Sequence, residues 1–166
     1  AIYFKEVLHS PKAFISLGYA GFSCAMTFGR LNGDALFAKF GSKKLVIAGS
    51  LLAALGFLIV VLAPGIAIAV TGYILIGFGC CSIVPILFRA AANIPGLSPV
   101  EGFAMVTTGG LVGFLVGPSI IGFVSEEVGL SKALSLLILM TLLASVAAWQ
   151  NKFLADKKHT TKIINE

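Results

Sequence analysis

Long apolar runs separated by short polar ones dominate this chain. Five runs carry almost no charge, at about 13–35, 45–63, 66–88, 103–124 and 132–150. A helix rises 1.5 Å per residue, so about 20 apolar residues suffice to cross a bilayer. The pattern predicts an all-α, polytopic transmembrane helical bundle over 1–151, with a polar, basic tail at 152–166. Ala1-Ile2-Tyr3-Phe4 reads as the end of one more apolar span, so an N-terminal portion is expected to precede it.

The polar breaks carry their own signals. Ser10 before Pro11 marks a helix start, with serine as cap and proline in the first turn. Gly41 marks the turn in the charged connection 36–44, and Ala63-Pro64-Gly65 is a short turn. Residues 90–102 read as a polar connection and 125–131 as a short acidic loop. Trp149 stands where aromatic residues favour the membrane interface. Pro85 frees a carbonyl one turn back and is expected to kink the third span, either to line a path or simply for packing.

Small residues recur inside the runs. Gly18, Gly21, Gly29 and Gly33 mark the first span. In the fourth, Gly109, Gly113 and Gly117 fall four apart, followed by Pro118 and Gly122. That stripe leaves one face nearly bare backbone, suited to lie against another helix.

Composition agrees with this picture. Hydrophobic residues make up 58% of the 166 and charged residues 11%, too little charge to cover a soluble domain of this length. The formal net charge is +5. Its basic residues gather at 39–44 and 152–162, a distribution that suits membrane orientation and argues against nucleic acid as a partner. With alternating spans, one side receives Lys39, Lys43, Lys44, Arg89, Lys152, Lys157, Lys158 and Lys162. The other receives Lys5, Lys12 and Lys132 beside Glu6, Glu126 and Glu127. The connection at 36–44 and the tail are therefore expected to be cytoplasmic.

Candidate chemistry is sparse. Cys24, Cys80 and Cys81 lie inside apolar runs and read as small hydrophobes. His9 and His159 lie in polar segments without ligand spacing, so neither a metal nor a cofactor is expected. An intramembrane enzyme needs clustered reactive groups at midplane, and no such cluster is written here. No nucleotide-binding loop is present either. Arg30 and Asp34, four apart near the end of the first span, can pair or act in gating, and Arg30 can instead snorkel to the interface. Asp34 lies near the membrane boundary and Glu101 in a connection, so a central proton-coupling carboxylate is not expected in this segment.

The stretch from Leu36 to Lys44 resembles the signature loop of the major facilitator superfamily, Gly-x-Leu-x-Asp-Arg-x-Gly-Arg-Arg. Aligned on Gly41, Leu36 matches the leucine, Lys39 the basic position, and Ser42, Lys43 and Lys44 the basic end. Asp34 stands where the first glycine belongs and Ala38 where the aspartate belongs. Gly29-Arg30-Leu31-x-Gly33-Asp34 and the run from Thr108 through Gly117-Pro118 to Gly122 are similar to a group of bacterial members of that family.

The resemblance implies the C-terminal half of a twelve-helix transporter, with the stub ending helix seven and the five spans forming helices eight to twelve. It implies secondary active transport of a small solute by alternating access in a bacterial inner membrane. The partners are then the bilayer, an N-terminal half and an unidentified solute. Arg30, Asp34, Leu36, Lys39, Gly41, Lys43 and Lys44 would form the conformational gate. Tyr19, Phe22, Met26, Gly77, Cys81, Thr107 and Phe114 would line the cavity. The alternative is a truncated, inert or regulatory membrane protein without transport of its own.

Overall fold

The computed structural model of the chain describes residues 16–150, without the side chains of Asp34, Leu130 and Ser131. The stub at 1–4, His9, the Ser10–Pro11 start and the tail 152–166 with His159 lie outside the described residues. Within them the regular elements are all α-helices: α1 (Leu17–Leu31), α2 (Gly33–Phe40), α3 (Ser42–Leu62), α4 (Ile66–Cys80), α5 (Ile83–Ala91), α6 (Pro99–Val128) and α7 (Leu130–Gln150).

By length and composition, four helical stretches among the described residues can cross a membrane: Ser42–Leu62, Ile66–Ala91, Pro99–Val128 and Lys132–Gln150. The chain is a multi-pass membrane protein. The first expected span is described only from residue 16, and it breaks at Asn32 before resuming as α2.

Close backbone approach holds the bundle together. Helix α4 lies between α1 and α3, and α7 packs on α3. Along the α3–α4 crossing, a Cβ added at Gly49 would stand 2.5 Å from the Gly79 carbonyl oxygen, and one added at Gly56 would stand 2.7 Å from that of Gly72. Such crossings rely on dispersion between backbones, because lipid tails are as apolar as any core side chain. The largest fully buried side chains are accordingly only Val60 and Ser50. Val60, Ala63, Ala69 and Ile76 form the main buried cluster, with Phe22, Phe57, Tyr73 and Leu134 against it. Leu51, Leu55, Leu58 and Leu62 form an exposed stripe on α3 at helical spacing, as a lipid-facing surface requires.

Several boundaries differ from those the pattern predicts. The connection at 36–44 is largely helical, and the chain reverses at Gly41 alone, with φ 78° and ψ 162°. The third span is not one helix to residue 88. It breaks at Cys81–Ser82 and resumes through Ala91. The break lies where Pro85, lacking an N–H, withholds a donor from the Cys81 carbonyl four residues back.

The polar connection 90–102 is shorter than expected because α6 begins at Pro99. A capping box fixes that start. The Glu101 amide donates to Ser98 Oγ at 3.3 Å, and the Ser98 amide donates to Glu101 Oε2 at 2.8 Å. The acidic loop 125–131 reduces to a turn at Gly129, with φ 86°. Pro118 sits inside α6 without ending it.

Candidate cation-lined cavity at two helix breaks

The helix breaks at Asn32 and Cys81–Ser82 lie side by side. A Cβ added at Gly29 would stand 2.5 Å from Cys81 Sγ, and one at Gly33 would stand 3.9 Å from Ser82 Oγ. Gly29 therefore lets α1 reach α4 at its last turn, and the chain on both sides turns away together. Between the breaks lies a cavity of about 220 Å³. Arg30 and Gly33 line it from one side, Cys81, Ser82, Pro85, Ile86 and Arg89 from another, and Phe37 and Leu45 close it.

Both arginines stand in the last turn of a helix, Arg30 on α1 and Arg89 on α5. That position is favourable for a cation, because the unpaired carbonyls of a helix C-terminus carry partial negative charge. Arg89 also stacks on α2, with its guanidinium carbon 4.1 Å from the centre of the Phe37 ring. This contact ties the end of α5 to the helix that replaces the expected loop. Val46, Ile86 and Ala148 are buried beneath it, with Phe37, Leu45 and Ala90 packed around.

Of the gating residues, Arg30 reaches the cavity, whereas Lys39, Leu36 and Lys44 are exposed on α2 and the start of α3. Lys39 Nζ sits 5.5 Å from the Phe40 ring centre, and Lys43 is half-buried. Gly41 supplies the turn. The side chain of Asp34 lies outside what the structure describes, and so does its pairing with Arg30.

The residues expected to line a solute path fall into separate groups. Phe22, Met26 and Gly77 meet at the α1–α4 crossing, where a Cβ at Gly77 would stand 2.5 Å from the Phe22 carbonyl oxygen. Gly77 therefore serves close approach of two helices. Cys81 is buried and lines the cavity at the breaks. Tyr19 and Phe114 are 70% and 74% exposed, and Thr107 is exposed on α6. The stripe of Gly109, Gly113, Gly117 and Gly122 is open, since an added Cβ at any of them meets no described atom within 4 Å.

The sequence pattern did not single out Phe37, Ser82 or the role of Arg89. One signal was available: Phe37 follows Arg30 by seven residues, two helical turns on. It is read as such only once 36–44 is known to be helical.

Three comparisons bear on the chain as a whole. The sequence profile of the Major Facilitator Superfamily matches residues 1–163. Among curated proteins, an uncharacterized MFS-type transporter of Yersinia pestis is 41% identical over 134 residues, covering 80% of this chain and 35% of its own length. The membrane protein MosC of Rhizobium meliloti is 36% identical over 133 residues, covering 80% and 33%. An uncharacterized transporter of Sinorhizobium fredii is 30% identical over 151 residues, covering 89% and 39%. The chain thus spans about a third of the length of these relatives. No solved structure matches it significantly.

Proposed function

The chain belongs to the major facilitator superfamily, and from that premise we propose that it is the C-terminal half of a secondary transporter moving a small solute by alternating access. The relatives' names support transport, and the chain's share of their lengths supports a partner half. The observation that carries the reading is the paired break of α1–α2 and α4–α5 around a cation-lined cavity. Interrupted helices in transporters occur where backbone lines a cavity and where bundles change arrangement.

In this reading α3, α4 and α1 form a rigid body, locked by glycine crossings at Gly49, Gly72 and Gly77. The open face of α6, with Gly109, Gly113, Gly117, Pro118 and Gly122, lies against the N-terminal half. Tyr19, Thr107 and Phe114 face the solute path. Arg30, Asp34, Leu36, Lys39, Gly41, Lys43 and Lys44 govern closure on the cytoplasmic side of a bacterial inner membrane, where the tail also lies. The charge asymmetry between the connections supports that orientation.

The test needs no knowledge of the solute. In the polypeptide that carries this chain, with its other cysteines removed, a single cysteine is placed at Phe114 and labelled with a membrane-impermeant maleimide. Alternating access predicts labelling in both right-side-out and inside-out vesicles. Labelling from one side alone would sink the proposal. The same experiment at Lys43, with labelling from the cytoplasmic side only, checks the orientation.

A further inference from the structure

Helix α3 carries one exposed face along its whole length. Lys44, Ala48, Leu51, Leu55, Leu58 and Leu62 are all exposed and follow one another at intervals of three or four residues. Beyond Lys44 that face is purely apolar, as a surface solvated by lipid must be. A rise of 1.5 Å per residue puts Lys44 about 10 Å along the axis from Leu51 and about 16 Å from Leu55. One acyl chain reaches through half of a hydrocarbon core ~30 Å thick. A phospholipid whose tail lies on Ala48, Leu51 and Leu55 therefore brings its headgroup to Lys44.

Two more lysines stand at that level. Lys39 lies in the last turn of α2 and Lys43 in the first turn of α3, with the chain reversing at Gly41 between them. Lys39 is exposed, and its ammonium lies 5.5 Å from the centre of the Phe40 ring. Leu36 and Phe40, four apart on α2, are exposed as well. A helix face that mixes lysine with leucine and phenylalanine suits the boundary between headgroups and acyl chains. Local electrostatics oppose Lys43 and Lys44, because a helix start favours negative charge and the first turn of α3 holds no acidic residue. An anion above them reverses that balance. Along the chain no acidic residue is written from Leu36 to Ala48, and Asp34 sets one carboxylate against three lysines.

We propose that the α2–α3 turn and the outer face of α3 hold an anionic phospholipid, its headgroup on Lys39, Lys43 and Lys44 and a tail along Ala48, Leu51 and Leu55. Headgroup and tail together define the ligand. An acidic peptide or a nucleic acid has no chain to lay on the leucines, and a zwitterionic lipid brings no net charge to the lysines. Lysine acts as a point charge rather than a planar fork, so the turn selects the net charge of the headgroup more than its shape. The inference goes beyond the transport reading and depends on neither the solute nor the direction of movement.

The experiment uses the purified polypeptide that carries this chain, reconstituted into vesicles of phosphatidylcholine. The probe is a trace of phosphatidylglycerol with a photoreactive diazirine in its tail, and a second preparation carries phosphatidylcholine with the same tail. After illumination, peptide mass spectrometry maps the labelled residues. Phosphatidylglycerol should label 48–55 well above phosphatidylcholine. Each of Lys39→Gln, Lys43→Gln and Lys44→Gln should lower that ratio by up to about fivefold, and the triple variant should bring it to one. Thermal melting checks folding. The proposal is overturned if the two lipids label 48–55 alike, if the triple variant labels as the parent does, or if neither lipid reaches 48–55 because another part of the polypeptide covers it. Should the glutamine variants melt early, salt decides on the parent protein. At 1 M the screening length falls to about 3 Å, so the ratio should drop several-fold, and an unchanged ratio overturns the role of charge. Labelling of the Phe114 cysteine reads transport by itself, so the two readings stand or fall separately.

Discussion

Replacing Gly79 by alanine should loosen the bundle at its tightest crossing. The added Cβ would stand 2.5 Å from the Gly49 carbonyl oxygen, 2.6 Å from the Ala53 nitrogen and 3.0 Å from the Ala53 Cα. All three are backbone atoms, so no side chain can rotate out of the way. Ordinary contact begins near 3.4 Å, so α3 and α4 must part by about 0.9 Å at this point. The separation spreads along the crossing to Gly56 and Gly72, where backbone contacts are also close, and the dispersion lost there adds to the cost. Overpacking of this kind costs about 1–3 kcal/mol. Alanine's better helix propensity returns up to about 1 kcal/mol. Overpacking wins, for a net loss of about 1–2 kcal/mol, or roughly 5–30-fold in the folded-to-unfolded ratio.

The assay is reversible unfolding in mixed micelles with increasing denaturing detergent. Gly65→Ala is the control: it meets nothing within 4 Å and its φ of −163° is ordinary extended backbone. Its cost is confined to the N-cap of α4, where glycine is preferred to alanine, and should stay below the loss at Gly79. If Gly79→Ala unfolds with the parent, or no more readily than Gly65→Ala, close backbone approach is not what holds α3 to α4.

Three further outcomes follow from local geometry, each read in the same unfolding assay. Gly41→Ala places a side chain at φ 78° and ψ 162°, a region nearly restricted to glycine, and should cost about 1–3 kcal/mol; a neutral result would mean the turn takes another form. Ser98→Ala removes the hydroxyl that accepts from the Glu101 amide at 3.3 Å and should cost about 1 kcal/mol, while Thr107→Ala on the same helix, far from the cap, should not. Ser50 is 1% exposed and its hydroxyl has no hydrogen-bond partner among the described residues. Ser50→Ala should therefore be neutral or stabilising by up to about 1 kcal/mol, and a measurable loss of stability would mean that the hydroxyl does have a partner.

The sequence by itself determined the class. With 58% hydrophobic residues in 20-residue runs, only membrane helices satisfy the backbone, and each such helix satisfies its own hydrogen bonds without help from distant residues. Local chemistry also marked Gly41 as a turn, because glycine, with no Cβ, adopts the positive φ that tight turns require. The charged stretch at 36–44 was legible as a motif but not as a helix. Its polar residues read as loop, whereas Phe37 and Leu45 bury against Val46 and Ile86 and draw α2 onto the bundle.

The candidate site belongs to the tertiary structure. Pro85 announces that a helix is disturbed, and nothing in the chain says that α1 breaks beside it. The neighbourhood follows from Gly29 meeting Cys81, a contact across 52 positions, 81 minus 29. That same approach brings Arg30 and Arg89 to one cavity. Helix rotation about its axis decides such meetings, and a run that is apolar on every face gives no signal of rotation. Only the packed glycines, each pressed on a particular backbone atom, fix which face of each helix turns inward.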